Sequence, residues 1–394
     1  MRTDPNRSGV TLVEVIFSMG VILIGLLGVM SILPLAGERA RDAVGLGIAP
    51  TIGDNIMEEM LAQRWLSSGR LVFFNDANPP ALMPFTGDEP FCIDPAFFAA
   101  STVAQVPGGT AYDSRFFPFY RPRHDPTLDP SATPTGPGNQ LTGQLTRMRR
   151  VGLLRRPVSL GNQTLLTTPE AFFVADSPDD LLIERPQDRA ANPFRFGTRV
   201  STAANGLPYG GRFGSGEFTW IATVTANPVP GYATVSIVVI RNRQRAFQLP
   251  TGPVSAPINN ATDERVATIS FASGFRGGAG GVVELNGAIN TVSRLRQGDW
   301  ILLSRAVNVT SVENLLHRWY RVAALEGDAE RLTLARSEIG FDNPTPSREV
   351  WRRKVYLDGP DFTFAPSLTS TGTLATLVEG VVSVTEHVVQ VSSL

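Results

Sequence analysis

Arg7-Ser8-Gly9-Val10-Thr11-Leu12-Val13-Glu14-Val15-Ile16 opens a run in which Glu14 is the single charged residue between Val10 and Pro34. No charge at all lies between Val15 and Gly37. As a helix, Val10 to Pro34 would extend roughly 37 Å at about 1.5 Å per residue, more than the ~30 Å of a hydrocarbon core. The pattern predicts a transmembrane helix over 10–35. A carboxylate near the bilayer centre costs about 2.5–3.5 kcal/mol, so Glu14 needs a partner. A free α-amino group is largely protonated at neutral pH. At about 4 Å and an effective dielectric of about 20, it attracts a carboxylate by roughly 4 kcal/mol. The two terms are comparable, so an amino group can hold Glu14 in an apolar bundle. The plainer explanation is a glutamate in a first helical turn, favoured by the helix dipole.

The short leader ending in Gly9, the apolar Val10, Thr11-Leu12-Val13-Glu14 and the long apolar run together resemble the processing site of type IV prepilins and type II secretion pseudopilins. Val10 stands where that family usually has Phe, and the family's mid-helix proline has a counterpart only at Pro34, later than usual. The resemblance covers a small part of the chain, yet leader, Gly, Glu and run length all coincide. It implies cleavage by prepilin peptidase between Gly9 and Val10 and N-methylation of Val10. It also implies that Glu14 meets the amino group of Val10, on its own or a neighbouring subunit, and so sets the stagger between subunits.

The implied fold class is α+β: a long N-terminal transmembrane/amphipathic helix followed by a large antiparallel, β-rich, pilin-like head. The implied partners are other pilin or pseudopilin subunits, prepilin peptidase, the inner-membrane assembly platform and the lipid bilayer. The implied location is a single pass of the inner membrane with the C-terminal part periplasmic, and after assembly a pilus or pseudopilus. Arg2 and Arg7 before the span agree with a cytoplasmic leader. Length and a large insertion favour a minor subunit, at the tip, over a major repeating one. The rival reading is a signal-anchored adhesin or receptor that joins no filament.

At 394 residues the chain has room for two or three domains. Hydrophobic content of 42% against 18% charged residues is enough to build a core. A net charge of −1 argues against nucleic acid or an anionic membrane surface as a general partner. Cys92 is the sole cysteine, which excludes an intrachain disulfide and a cysteine-based zinc site. The apolar run is too long for a secretory h-region, and Pro34-Leu35-Ala36 is a poor signal-peptidase site.

Four segments follow: a leader over 1–9, a helix over 10–68, a Pro/Gly-rich insertion over 69–215, and an antiparallel β domain over 216–394. In the second half of the helix Ile48, Ile52, Ile56 and Met60 recur every four residues, with Leu61 and Trp65 on an adjoining stripe. Pro50 with its neighbouring glycines predicts a kink or break. Within the insertion, a helical patch is expected around Gln140–Leu154, carrying Arg147, Arg149 and Arg150, with Arg155 and Arg156 beyond. From Gly216 the period becomes two. Phe218, Trp220, Ala222 and Val224 share a face, and Asn227-Pro228-Val229-Pro230-Gly231 turns the chain into Tyr232–Arg241, a hairpin. Further strands are expected over 266–271, 281–285, 299–304, 317–325, 331–336, 354–357 and 376–391, with Glu326–Glu330 as a turn between two of them.

Catalysis finds little footing. His124, His317 and His387 have no metal-ligand spacing, and no Gly-x-Ser-x-Gly elbow exists. Gly274–Gly281 lacks dinucleotide-binding register and reads as a turn. Cys92 reads as a buried or incidental thiol in an aromatic, Pro-rich loop, and no enzyme activity is expected. Phe116, Phe117, Phe119 and Tyr120, beside Arg121 and Arg123, could stack on sugars or bases but fit better as pins for their own loop. No cofactor is expected beyond weak calcium candidates at Asp176, Asp179 and Asp180, whose oxygens suit a hard cation. An exposed acidic turn is the simpler reading. Arg147–Arg156 suits a solvated face or acidic partner better than DNA phosphates.

Overall fold

The computed structural model describes residues 11–67, 69–75, 81–85, 89–100, 115–118, 148–154, 165–166, 168–176, 181–183, 212–214, 217–227, 229, 231–243, 264–270, 274–276, 278, 280–306, 315–334, 348–363 and 373–390. The chain divides into two compact units, Met1–Ala49 and Pro50–Leu394.

The first unit contains the opening of helix α1 (Leu12–Ala62), 51 residues long. The expected break at Pro50 is absent, and α1 continues through it. In the second unit α1 buries Ile52, Ile56 and Met60 of the expected stripe, together with Met57, whereas Leu61 stays exposed, as does Ile48 in the first unit. The helix stops in a Schellman motif. Arg64 adopts φ 54°, its amide donates to the Leu61 carbonyl (3.1 Å), and the Trp65 amide donates to the Met60 carbonyl (2.9 Å). Trp65 then stacks on Trp220 with ring centroids 5.7 Å apart.

The strands that follow are β1 (Leu71–Phe74), β2 (Leu82–Pro84), β3 (Phe91–Ile93), β4 (Phe116–Phe117), β5 (Met148–Leu153), β6 (Leu181–Ile183) and β7 (Arg212–Gly214). Two short helices, α2 (Pro95–Ala100) and α3 (Thr168–Ala175), lie among them. The hairpin β8 (Phe218–Ala226) and β9 (Tyr232–Arg241) comes next. The rest comprises β10 (Glu264–Ser270), β11 (Gly274–Phe275), β12 (Gly281–Gly287), α4 (Ile289–Val292), β13 (Trp300–Ala306), β14 (Leu315–Leu334), β15 (Arg348–Asp358), β16 (Phe362–Thr363), β17 (Thr373–Val378) and β18 (Val381–Gln390).

Two large β bodies result, beside the two-stranded pairs β6–β7 and β11–β16. One is an eight-stranded sheet in the order β18-β9-β8-β3-β5-β1-β2, with β4 paired to β5. Its β3–β5 pairing is parallel. The other is a closed barrel, β10-β12-β15-β14-β13-β17, with every pairing antiparallel. Closure follows from β17 pairing with both β10 and β13, which leaves the barrel without an edge. Alternation along each strand sorts the side chains. Ile301, Leu303, Tyr320, Val322, Val355, Leu357, Ala375 and Leu377 fill the barrel core. Leu302 and Trp319, one position out of phase, join Val378 in a second core with Cys92, Phe117, Met148, Ile221, Val238 and Ile240 of the sheet. Barrel and sheet therefore share one apolar seam, crossed by a hydrogen bond from Trp319 Nε1 to Thr223 Oγ1 (3.0 Å).

The α+β architecture of a long transmembrane/amphipathic helix and one pilin-like antiparallel head does not hold. The chain is β-rich, and its strands make a mixed sheet plus a closed barrel. Among the described residues, no helix is long and apolar enough to cross a membrane. Of the helical patch expected around 140–154, Met148–Leu153 is instead the strand β5, all six residues buried, and residues 140–147 lie outside the described residues. Glu326–Glu330 is a bulge inside the single strand β14, which pairs with β15 on both sides: Glu326 faces Lys354 and Glu330 faces Arg352. Gly327, at φ 64°, takes up the extra residues. The strand expected over 376–391 is two strands in different bodies, parted at Gly380.

Candidate functional site

Two regions stand out, one in each unit. In the first, the opening of α1 turns large apolar side chains outward all around the helix. Leu12 is 75% exposed, Phe17 73% and Ile24 73%, with Ile16, Ile22, Leu23 and Leu27 also exposed. A contiguous apolar surface of this kind marks a site for lipid or protein contact. Glu14 sits in the first turn. Its amide donates to the Thr11 carbonyl (3.0 Å) and faces the Thr11 hydroxyl at 3.4 Å. Thr11-x-x-Glu14 thus has the spacing of a capping box, which favours a helix start at this point. Ser18 donates its hydroxyl to the Glu14 carbonyl (2.7 Å). The cleavage positions Gly9 and Val10 lie outside the described residues.

In the second unit, four charged side chains are buried together. Asp94, just after β3, receives both guanidinium nitrogens of Arg243, which follows β9, at 2.9 and 2.6 Å. Arg150 of β5 donates from Nη1 to Asp94 Oδ2, the oxygen that Arg243 Nη2 also contacts, and its Nη2 makes a two-pronged bond to both oxygens of Glu264 at 2.9 and 2.8 Å. Arg150 and Asp94 are completely inaccessible. The Arg150 guanidinium also lies 3.8 Å from the ring centre of Phe97 and 5.4 Å from that of Phe117. Burial alone would raise the Asp94 pKa, but Arg243 and Arg150 override it and hold the carboxyl below its usual range. Cys92, on the neighbouring strand, has its thiol pushed well up, burial being the largest cause. A thiol so held is a poor nucleophile. Two guanidiniums against two carboxylates leave no net charge for an ionic ligand to balance.

A serine–histidine pair, which the sequence did not signal, lies on the barrel. His317 Nδ1 is 2.8 Å from Ser304 Oγ, across the β13–β14 ladder. Both side chains are buried, and burial pushes the His317 pKa down to about 3. A base that weak and that inaccessible cannot activate the serine near neutral pH. The spacing is that of a catalytic dyad, but the environment is that of a core contact.

The remaining expected residues are scattered. Asp176 is buried and bridges to Thr219, so it is no exposed acidic turn; Asp179 and Asp180 lie outside the described residues. Among the described residues no group of three His, Cys, Asp or Glu side chains is placed to hold a metal ion. Cys92 is in the central strand β3, not in a loop. Arg149 and Arg150 are buried, so they form no solvated basic face; Arg147, Arg155 and Arg156 are outside the description. Phe116 and Phe117 are buried in β4, and Phe119, Tyr120, Arg121, Arg123 and His124 are outside it. His387, on β18, has Nε2 3.4 Å from Asp54 Oδ1.

Comparison with family models, with curated proteins and with solved structures finds no match for this chain.

Proposed function

We propose that the chain is made as a membrane-inserted precursor, cut between Gly9 and Val10 by a prepilin-type peptidase, and assembled as a minor subunit of a type IV pilus or type II secretion pseudopilus. The observation that carries this is the uncovered apolar surface of α1 around the single carboxylate Glu14. It stands directly behind a leader ending in Gly9. In the precursor the exposed apolar side chains of this run, among them Leu12, Phe17 and Ile24, hold the chain at the inner membrane. In the filament it packs against the same run of neighbouring subunits, and the new α-amino group of Val10 meets a Glu14 carboxylate. The part displayed outside is the sheet and barrel, too bulky for a densely repeated lattice, which favours a terminal position.

The test is intact mass and N-terminal sequencing of protein expressed with and without a prepilin peptidase. A peptidase-dependent start at Val10 is expected. An uncut Met1, or a cut near Ala36, overturns the proposal.

A further inference from the structure

The buried charge cluster spans the two β bodies unevenly. Arg150, Asp94 and Arg243 belong to the sheet side, on or beside β5, β3 and β9, while Glu264 opens β10 of the barrel. Glu264 reaches both guanidiniums, through the two-pronged bond to Arg150 and at 3.8 Å from Arg243. The cluster adjoins the apolar seam. Cys92, a member of that seam, is the register partner of Arg150 across β3–β5. Phe117, another member, lies under the Arg150 guanidinium.

We infer that this cluster is a latch holding the barrel against the sheet, with Glu264 as its release point. With Glu264 present, two guanidiniums face two carboxylates. With a neutral side chain in place of Glu264, one carboxylate is left for two buried guanidiniums, and an uncompensated buried charge is strongly unfavourable. Arg150 has no exposed surface, so water can relieve it only where β10 lifts from the sheet. The ladders inside each body do not involve these side chains, so opening at the seam leaves both bodies intact. This inference is independent of the proposed role of α1.

The experiment is hydrogen exchange on the full chain, comparing the natural protein with Glu264→Gln and with the charge-balanced double variant Arg243→Gln/Glu264→Gln. In the single variant, amides of β10, β3 and β5 are expected to lose protection at least tenfold. The β13–β14 ladder, where Ile301 pairs with Tyr320, should keep its own. The double variant, with one guanidinium against one carboxylate, is expected to recover most of the lost protection. Unchanged exchange in the single variant, or an equal loss throughout barrel and sheet, overturns the latch. If the single variant does not fold, the double variant decides: a double variant no better than the single one overturns it.

Discussion

The amide of Arg241 donates to the carbonyl oxygen of Gly380 over 2.8 Å, and a Cβ built on Gly380 would sit 2.5 Å from the carbonyl oxygen of Arg241. This contact marks the point where the chain leaves the barrel at β17 and enters the sheet at β18. Gly380 has φ 84°, a conformation that costs other residues about 1–2 kcal/mol, and the facing atom is backbone that cannot swing aside.

Gly231 provides the control, because it has the same φ of 84° but nothing within 4 Å of its would-be Cβ. Gly380→Ala is therefore expected to destabilise more than Gly231→Ala, by at least about 1 kcal/mol. Urea unfolding of the two variants checks this, and equal midpoints would show that the Arg241 contact relaxes freely.

Gly53 meets the sheet in a comparable way. Its would-be Cβ lies 2.4 Å from Thr385 Oγ1 and 3.1 Å from Cγ2. Alanine is the better helix former by about 0.5–1 kcal/mol, yet overpacking costs about 1–3 kcal/mol. Gly53→Ala alone should thus lower stability. In a Thr385→Ala background the same change should become neutral or stabilising. A double-mutant cycle measures the coupling, and additivity would mean that the helix does not sit this close to β18.

His317 makes stability depend on pH. Folded, its pKa is pushed down to about 3 by burial; unfolded, it titrates near 6.5. Between these values the unfolded chain binds more protons, so stability is fullest above about pH 6.5 and falls as pH drops toward 3. The expected loss is about 2 kcal/mol by pH 5, at roughly 1.4 kcal/mol per unit. His317→Gln should flatten the slope between pH 7 and 5 in denaturant titrations. An identical slope in both proteins would place the pH sensitivity elsewhere.

Glu14→Ala separates assembly from anchoring. If Glu14 pairs with the Val10 amino group of a neighbour, the variant should insert and be cut at Gly9 as before, yet be absent from sheared filaments. If Glu14 serves only the helix start with Thr11, the loss is a fraction of a kcal/mol, up to about 1 kcal/mol, of helix stability. Incorporation would then be unchanged, as the anchored-receptor reading expects. Immunoblots of membrane and filament fractions distinguish these outcomes.

Local periodicity determined much of this protein. The apolar run behind Gly9, the Ile52–Ile56–Met60 stripe and the hairpin of Phe218–Ala226 with Tyr232–Arg241 each follow from spacing over a few residues, because side-chain direction repeats every 3.6 or 2 positions. Only the tertiary structure decided how strands share bodies. Thr376 to Val389 is one β-rich stretch in the sequence, and Glu379-Gly380 signals a turn there without saying that the next strand joins another sheet. Arg149 and Arg150 look like surface charge because nothing nearby neutralises them. Their environment comes from far away: Asp94 is 56 positions from Arg150 and Glu264 is 114. A guanidinium is tolerated without solvent only where folding delivers its counter-charges, and that pairing leaves no periodic trace along the chain.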